Sequence, residues 1–188
     1  MNNNLIQREE HYLKKELDQL IQNDASIFHF IQQSSLDGIW YWDLEQPQHE
    51  WMSEKFWTTL GYDPQSMPHQ PSAWQDIVFA DDMSAAENSI KLHLEDPSIP
   101  FDQVIRYRHA QGTTVWIRCR GLAIRNELAK PIRMLGAHTD ITQIKRKEEE
   151  LQAFLDEAHD LIQSVDQQGK YVYVNRAWCH TLGYSKQE

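Results

Sequence analysis

Leu60-Gly61-Tyr62 recurs 122 residues on as Leu182-Gly183-Tyr184, and the recurrence extends upstream. Phe56-Trp57 stands at the same offset from Trp178-Cys179, while Asp37 and Asp43 match Asp160 and Asp166 at an offset of 123. The first copy therefore holds one extra turn residue. Both copies run strand, turn, strand, helix, with Gln168-Gly169 at the second turn. A chain of 188 residues that repeats in this way reads as one medium domain and the opening of a second, not as a single large core.

The first copy continues past the repeated part. Gly38 to Asp43 (Gly-Ile-Trp-Tyr-Trp-Asp) is a strand by its aromatic content, and four large apolar residues in a row predict cover on both faces. Pro47 lies in the turn, and His49 to Met52 returns as the second strand. Ser53 caps a helix over Glu54 to Leu60, and Gly61 ends it. Pro64, Pro68 and Pro71 mark loops around Trp74. Asp81-Asp82 opens a longer helix, with acids at the positive end of its dipole and Met83, Ala86, Ile90 and Leu94 as its buried stripe. Three strands follow: Phe101 to His109, Thr113 to Arg125 and Ile132 to Thr139. Gln111-Gly112 and Asn126 to Lys130 make their turns. Two strands, a block of helices and three antiparallel strands make an α+β architecture: a five-stranded antiparallel sheet with helices on one face.

The last strand runs into a charged helix without a loop. Asp140 stands at the changeover with Gln143 three residues on, so Asp140-Ile141-Thr142-Gln143 has the form of a capping box. The helix beyond carries Ile144, Leu151, Phe154 or Leu155, and Ala158 near a 3.5-residue spacing, interrupted at Glu148. Another amphipathic helix precedes the first strand. Residues 4–33 hold Leu5, Ile6, Leu13, Leu17, Leu20, Ile27, Phe28 and Ile31, with a break at Asn23 to Ser26 where Asp24 or Ser26 caps the second piece. One module cannot wholly cover both stripes, which predicts a homodimer through residues 5–33 and 141–158.

In order and spacing, Ile31–Thr142 resembles a PAS domain followed by a PAC motif, and 153–188 resembles the first third of another. The residues that carry the resemblance are Asp37 to Asp43, Leu60-Gly61-Tyr62 and Asp81-Asp82. Phe101, Arg106-Tyr107-Arg108, Gly112, Trp116-Ile117, Gly121, Pro131, Leu135-Gly136 and Asp140-Ile141-Thr142 continue it. It divides the chain into an N-terminal amphipathic helical segment (1–33), a PAS domain with its PAC motif (34–143), a helical linker (144–158) and the start of a second, incomplete PAS domain (159–188). It implies a small-molecule pocket between helices and sheet, bounded by Trp57 and the stripe Ala86, Ile90 and His93. It also implies a transmission point at Asp140, Ile141 and Thr142, from which a helix relays the signal to an output domain in the same chain. The expected role is a sensory and dimerisation module, foremost of a sensor histidine kinase working in phosphorelay. The same module feeding a diguanylate cyclase or phosphodiesterase is the alternative, as is an interaction scaffold without a ligand. The chain departs from the family pattern at Phe79-Ala80, where His-Pro is common, at Val104, where an acid is common, and near Ala129, where a hairpin glycine is common.

Composition and motifs narrow the chemistry. A net charge of −10 argues against a nucleic-acid partner. No apolar run approaches the ~20 residues that cross a bilayer, and the first ten residues lack the apolar core of a secretory signal, so a cytoplasmic location is expected. Cys119 and Cys179 lie far apart and suggest neither a disulfide nor a metal site. The flavin photoadduct motif, a cysteine within Gly-x-Asn-Cys-Arg-Phe, is absent. With no Walker loop, nucleophile context or HExxH, no catalysis is expected within these residues, although the parent protein is a candidate kinase. His93 lies on the helix that supplies the haem ligand in some relatives, and one axial histidine suffices. An exposed histidine on an amphipathic helix is the commoner case, so haem is not the favoured cofactor and the ligand stays unknown. His138 is placed to sense pH or bind a carboxylate, against the commoner case of a hydrogen-bonded strand histidine. His109 is expected in solvent. Trp40, Trp42, Trp57, Trp74 and Trp116 suit either a flat ligand or, more commonly, a core. Arg106, Arg108, Arg118 and Arg120 read as a charged outer face paired with acids.

Overall fold

The computed structural model describes residues 12–35 and 37–185, which divide in sequence into two compact units at Asp140/Ile141. The first unit begins with α1 (Tyr12–Asn23) and α2 (Ala25–Ser35). Between them, the Asp24 carboxylate accepts the Ser26 N–H at 2.8 Å and the Ser26 hydroxyl at 2.6 Å, so Asp24 is the cap of the second piece. Residues 4–11 of the expected helix, with Leu5 and Ile6, lie outside the described residues.

β1 (Gly38–Asp43), β2 (Glu50–Met52), β3 (Phe101–Arg108), β4 (Thr114–Arg125) and β5 (Pro131–Asp140) form one antiparallel sheet in the order β2-β1-β5-β4-β3. Between β2 and β3 come α3 (Glu54–Thr59), a 3-10 turn at Pro64–Ser66, α4 (Ser72–Gln75) and α5 (Ala80–Glu95). This is the five-stranded α+β sheet that the sequence led us to expect, with each strand boundary within about two residues.

Register decides what faces the helices. One inner row crosses all five strands: Met52, Trp40, Gly136, Gly121 and Phe101. The paired glycines form a trench for the Trp40 indole. A Cβ on Gly136 would stand 2.0 Å from Trp40 Cε2, and one on Gly121 would stand 2.9 Å from Cζ2. Lying in the trench, the indole meets Phe101 edge to face at 6.1 Å. The adjacent row, Trp51, Tyr41, Leu135 and Leu122, points the other way and is exposed. β1 is therefore not covered on both faces as its aromatic run suggested: side chains alternate, and Tyr41 stands on the outer face, 40% exposed. Of the four arginines expected to pair with acids, Arg118 grips Asp102 through two hydrogen bonds on that face.

Both ends of α5 are strapped to the sheet. Near its start, Asp82 accepts Nε and Nη2 of Arg106 at 2.8 and 2.7 Å and the Arg106 backbone N–H at 2.7 Å. The guanidinium beside it holds the Asp82 carboxyl below its usual range. At its end, Arg125 donates to the Leu94 carbonyl at 2.8 Å, satisfying one acceptor that the last turn leaves open.

The second unit comprises α6 (Thr142–Glu157), β6 (Gln163–Val165), β7 (Tyr171–Val174) and α7 (Arg176–Leu182). Asn175 is its buried hub. Its side-chain oxygen accepts the N–H groups of Ile162 and Trp178, both at 3.0 Å, and its amide donates to the Leu155 and Asp160 carbonyls at 3.1 and 2.9 Å. Ser53, 122 residues earlier, holds the matching place in the first unit, where its hydroxyl accepts the Ile39 N–H at 2.9 Å.

Candidate functional site

A cavity of about 180 Å³ lies in the first unit between α4–α5 and the inner face of the sheet. Trp40, Trp42, Trp74, Phe101 and Tyr107 supply aromatic walls, with Ala86 and Ile90 of α5 above. Among the candidate pocket residues, Ala86 and Ile90 therefore line the cavity, and Trp57 and His93 do not. Trp57 is a buried residue of α3 itself, beside Phe56, with ring centroids 4.9 Å apart.

His93 is a structural pin. Its Nε2 accepts the Ala123 N–H at 3.0 Å, which fixes the proton on Nδ1, and Nδ1 donates to the Ile99 carbonyl at 2.5 Å. Both ring nitrogens are thus engaged, and the residue is buried rather than exposed as its place on an amphipathic helix suggested. His109 is also not in open solvent. It is half-buried against Gly61, whose φ of +79° is open to glycine.

The polar group that sequence reasoning missed is Glu50. In β2 it shares the inward phase of Met52 and is buried, while Trp51 between them is exposed. Its Oε2 accepts the Trp74 indole N–H at 2.7 Å. Burial raises the carboxyl to about pH 7, since one indole hydrogen bond does not offset the lost hydration. A three-residue strand is too short for alternation to show, which left Glu50 without a signal in the sequence.

Cys119 and His138 face each other across β4 and β5 on the cavity floor. Burial pushes the Cys119 thiol well up, so it is not a nucleophile at neutral pH. His138 stacks on Phe56 at 4.4 Å, and its Nδ1 has no hydrogen-bond partner. Burial lowers its pKa to about 3. It is a neutral aromatic wall, neither the hydrogen-bonded strand residue nor a sensor that titrates near neutrality.

The junction after β5 differs in detail from the expected capping box. Asp140 pairs with Ile117 as the last residue of β5, so the cap position of α6 moves on to Ile141, whose side chain has no oxygen to offer. Asp37 is what holds the strand end. Its carboxylate accepts the Asp140 N–H at 2.8 Å, and its own N–H donates to the His138 carbonyl at 3.1 Å. Ile141 alone separates β5 from α6 in sequence, and Thr142 is buried.

A PAS fold family model matches residues 49–138, and a PAS domain family model matches residues 149–188. Among solved structures, the sensory box histidine kinase/response regulator from Burkholderia thailandensis E264 is 28% identical at a TM-score of 0.58, over 68% of this chain and 93% of that one. The PAS domain of a protein from Colwellia psychrerythraea is 21% identical at a TM-score of 0.51, over 66% and 98%. The N-terminal domain of a diguanylate cyclase with PAS/PAC sensor from Marinobacter aquaeolei is 18% identical at 0.50, over 57% and 97%. The last two share the fold. No curated protein matches the chain.

Proposed function

This chain belongs to the PAS family, and on that premise we propose that its first unit binds a small ligand in the cavity under α5 and relays occupancy through β5 and α6 to an output domain. The observation that carries this reading is the cavity itself: walls of aromatic rings with one buried carboxyl, roofed by a helix strapped at both ends. A cavity of about 180 Å³ with a polar group supports sensing over a scaffold packed solid. The output we propose is a histidine kinase in phosphorelay, supported by the Burkholderia relative. The place is the cytoplasm; no helix among the described residues is long and apolar enough to cross a membrane.

The working form is a homodimer. Leu13, Leu17 and Leu20 of α1 and Ile144, Leu151 and Phe154 of α6 are exposed, and such stripes bury themselves in helix pairs. Ala86→Leu tests the reading, because it fills the cavity from above. In the full-length protein it should fix autophosphorylation at one level whatever the stimulus. Retained, stimulus-dependent regulation in a folded Ala86→Leu protein would refute ligand sensing at this site. Sedimentation should show a dimer; a monomer at high concentration would refute the assembly.

A further inference from the structure

The charges around the cavity narrow its ligand, an inference that rests on the sensing reading above. We propose that the cavity takes a compact organic cation, an amine with one small apolar or aromatic body, whose ammonium sits on Glu50. Among the described residues, the acids on its walls are two carboxyls, and that of Glu50 is half-protonated at neutral pH. Glu50 lies within and Glu87 is exposed on α5, while no lysine or arginine lines it. One Glu50 oxygen is occupied by Trp74, and no described residue donates to the other. A carboxylate oxygen left without a donor in an apolar site calls for one from the ligand.

The remaining walls fit the same ligand. Trp40, Trp42, Trp74 and Tyr107 line the same cavity as the carboxyl, and aromatic walls attract a partly desolvated cation. An anion would meet two carboxylates and no counter-charge. The other titratable groups on the walls do not supply one: the His138 imidazole is neutral, and burial raises both Tyr107 and Cys119, keeping their protons on.

Size limits the body. An apolar cavity of about 150 Å³ accepts benzene, so about 180 Å³ holds one ring with a short arm. It lies below the roughly 300–1,000 Å³ that hold drug-sized ligands.

An isosteric series tests the charge with size held constant: benzylamine, benzyl alcohol and benzoate, each titrated calorimetrically into the 188-residue chain and its Glu50→Gln variant. Benzylamine should bind at least tenfold more tightly than benzyl alcohol, benzoate should not bind, and Glu50→Gln should erase the amine's advantage. If the variant does not fold, the ranking on the unmodified chain decides. Benzyl alcohol or benzoate binding as tightly as the amine would overturn the cation inference and leave small-molecule sensing intact. Binding by none of the three would overturn it as well. Xenon would then separate the two readings: if it enters the cavity the sensing reading survives, and if it is excluded both fall.

Discussion

The carboxylate of Asp37 accepts the backbone N–H of Asp140 at 2.8 Å, so the residue that precedes the first strand holds the last residue of the fifth. Lys55 approaches the other Asp37 oxygen at 3.7 Å. The end of β5 is therefore held by a residue 103 positions earlier in the chain.

Asp37→Ala should cost about 1 kcal/mol, below the usual range for a hydrogen bond to a charged group because the carboxylate is partly exposed. Asp37→Asn keeps an acceptor oxygen and should restore most of that loss. Urea denaturation of the two variants checks it, and equal losses would show that the acceptor is not what matters.

Glu50 should make stability depend on pH. The unfolded carboxyl releases its proton near its ordinary value of 4.5, and the folded one releases it at about 7. Between those values the folded state keeps a proton that the unfolded state has lost, so stability falls as pH rises and the loss is complete above pH 7. The shift is worth about 3 kcal/mol. Glu50→Gln has no such proton, so its stability relative to the parent should rise by about that amount from pH 4.5 to 8. His138 acts with the opposite sign: with its pKa lowered from 6.5 to about 3, stability falls as pH drops through that interval, in both proteins alike. A parent-to-variant difference that stays constant across pH would refute the buried-carboxyl account.

His93→Leu removes a donor and an acceptor at once. The Ala123 N–H and the Ile99 carbonyl would lose their partner, at a cost of roughly 2–4 kcal/mol by chemical denaturation. Because the Nε2 lone pair is already engaged, haem added to the parent protein should give no Soret band of a histidine-ligated iron.

Ala129 sits at φ +61° in the turn between β4 and β5, where the family often has glycine. The left-handed region costs an L residue roughly 1–2 kcal/mol, part of which glycine returns through its greater freedom when unfolded. Ala129→Gly should therefore stabilise the protein by up to about 1 kcal/mol, read as a higher melting temperature.

What the sequence revealed and what it concealed divide along physical lines. Strand and turn positions were legible because Gln111-Gly112 and the run Asn126 to Lys130 punctuate alternating stretches, and Gly112 does take φ +84°. The stripe on α5 was legible by period, which turned Ala86 and Ile90 toward the core. Period says which residues face inward, not which neighbour each meets: His93 shares the stripe yet spends its nitrogens on Ala123 and Ile99. The cap after β5 was misplaced by one residue because a single added pair, Asp140 with Ile117, kept Asp140 extended. No pattern marks such a pair. Glu50 needed the register with Trp42 and the indole of Trp74, 24 residues away, before its burial made sense.

The trench under Trp40 limits the order in which this sheet can evolve. A methyl group on Gly136 collides with the indole at 2.0 Å, and one on Gly121 meets its far edge at 2.9 Å. Neither glycine can be replaced while the tryptophan stays. Trp40 can be lost first, but the two empty glycine positions then leave a void across the middle of the floor. Each single step from this arrangement therefore leads downhill in stability, and the three positions form one inherited unit. Descendants that abandon it should do so at Trp40 before either glycine, leaving Gly121 and Gly136 as the older record of what once lay above them.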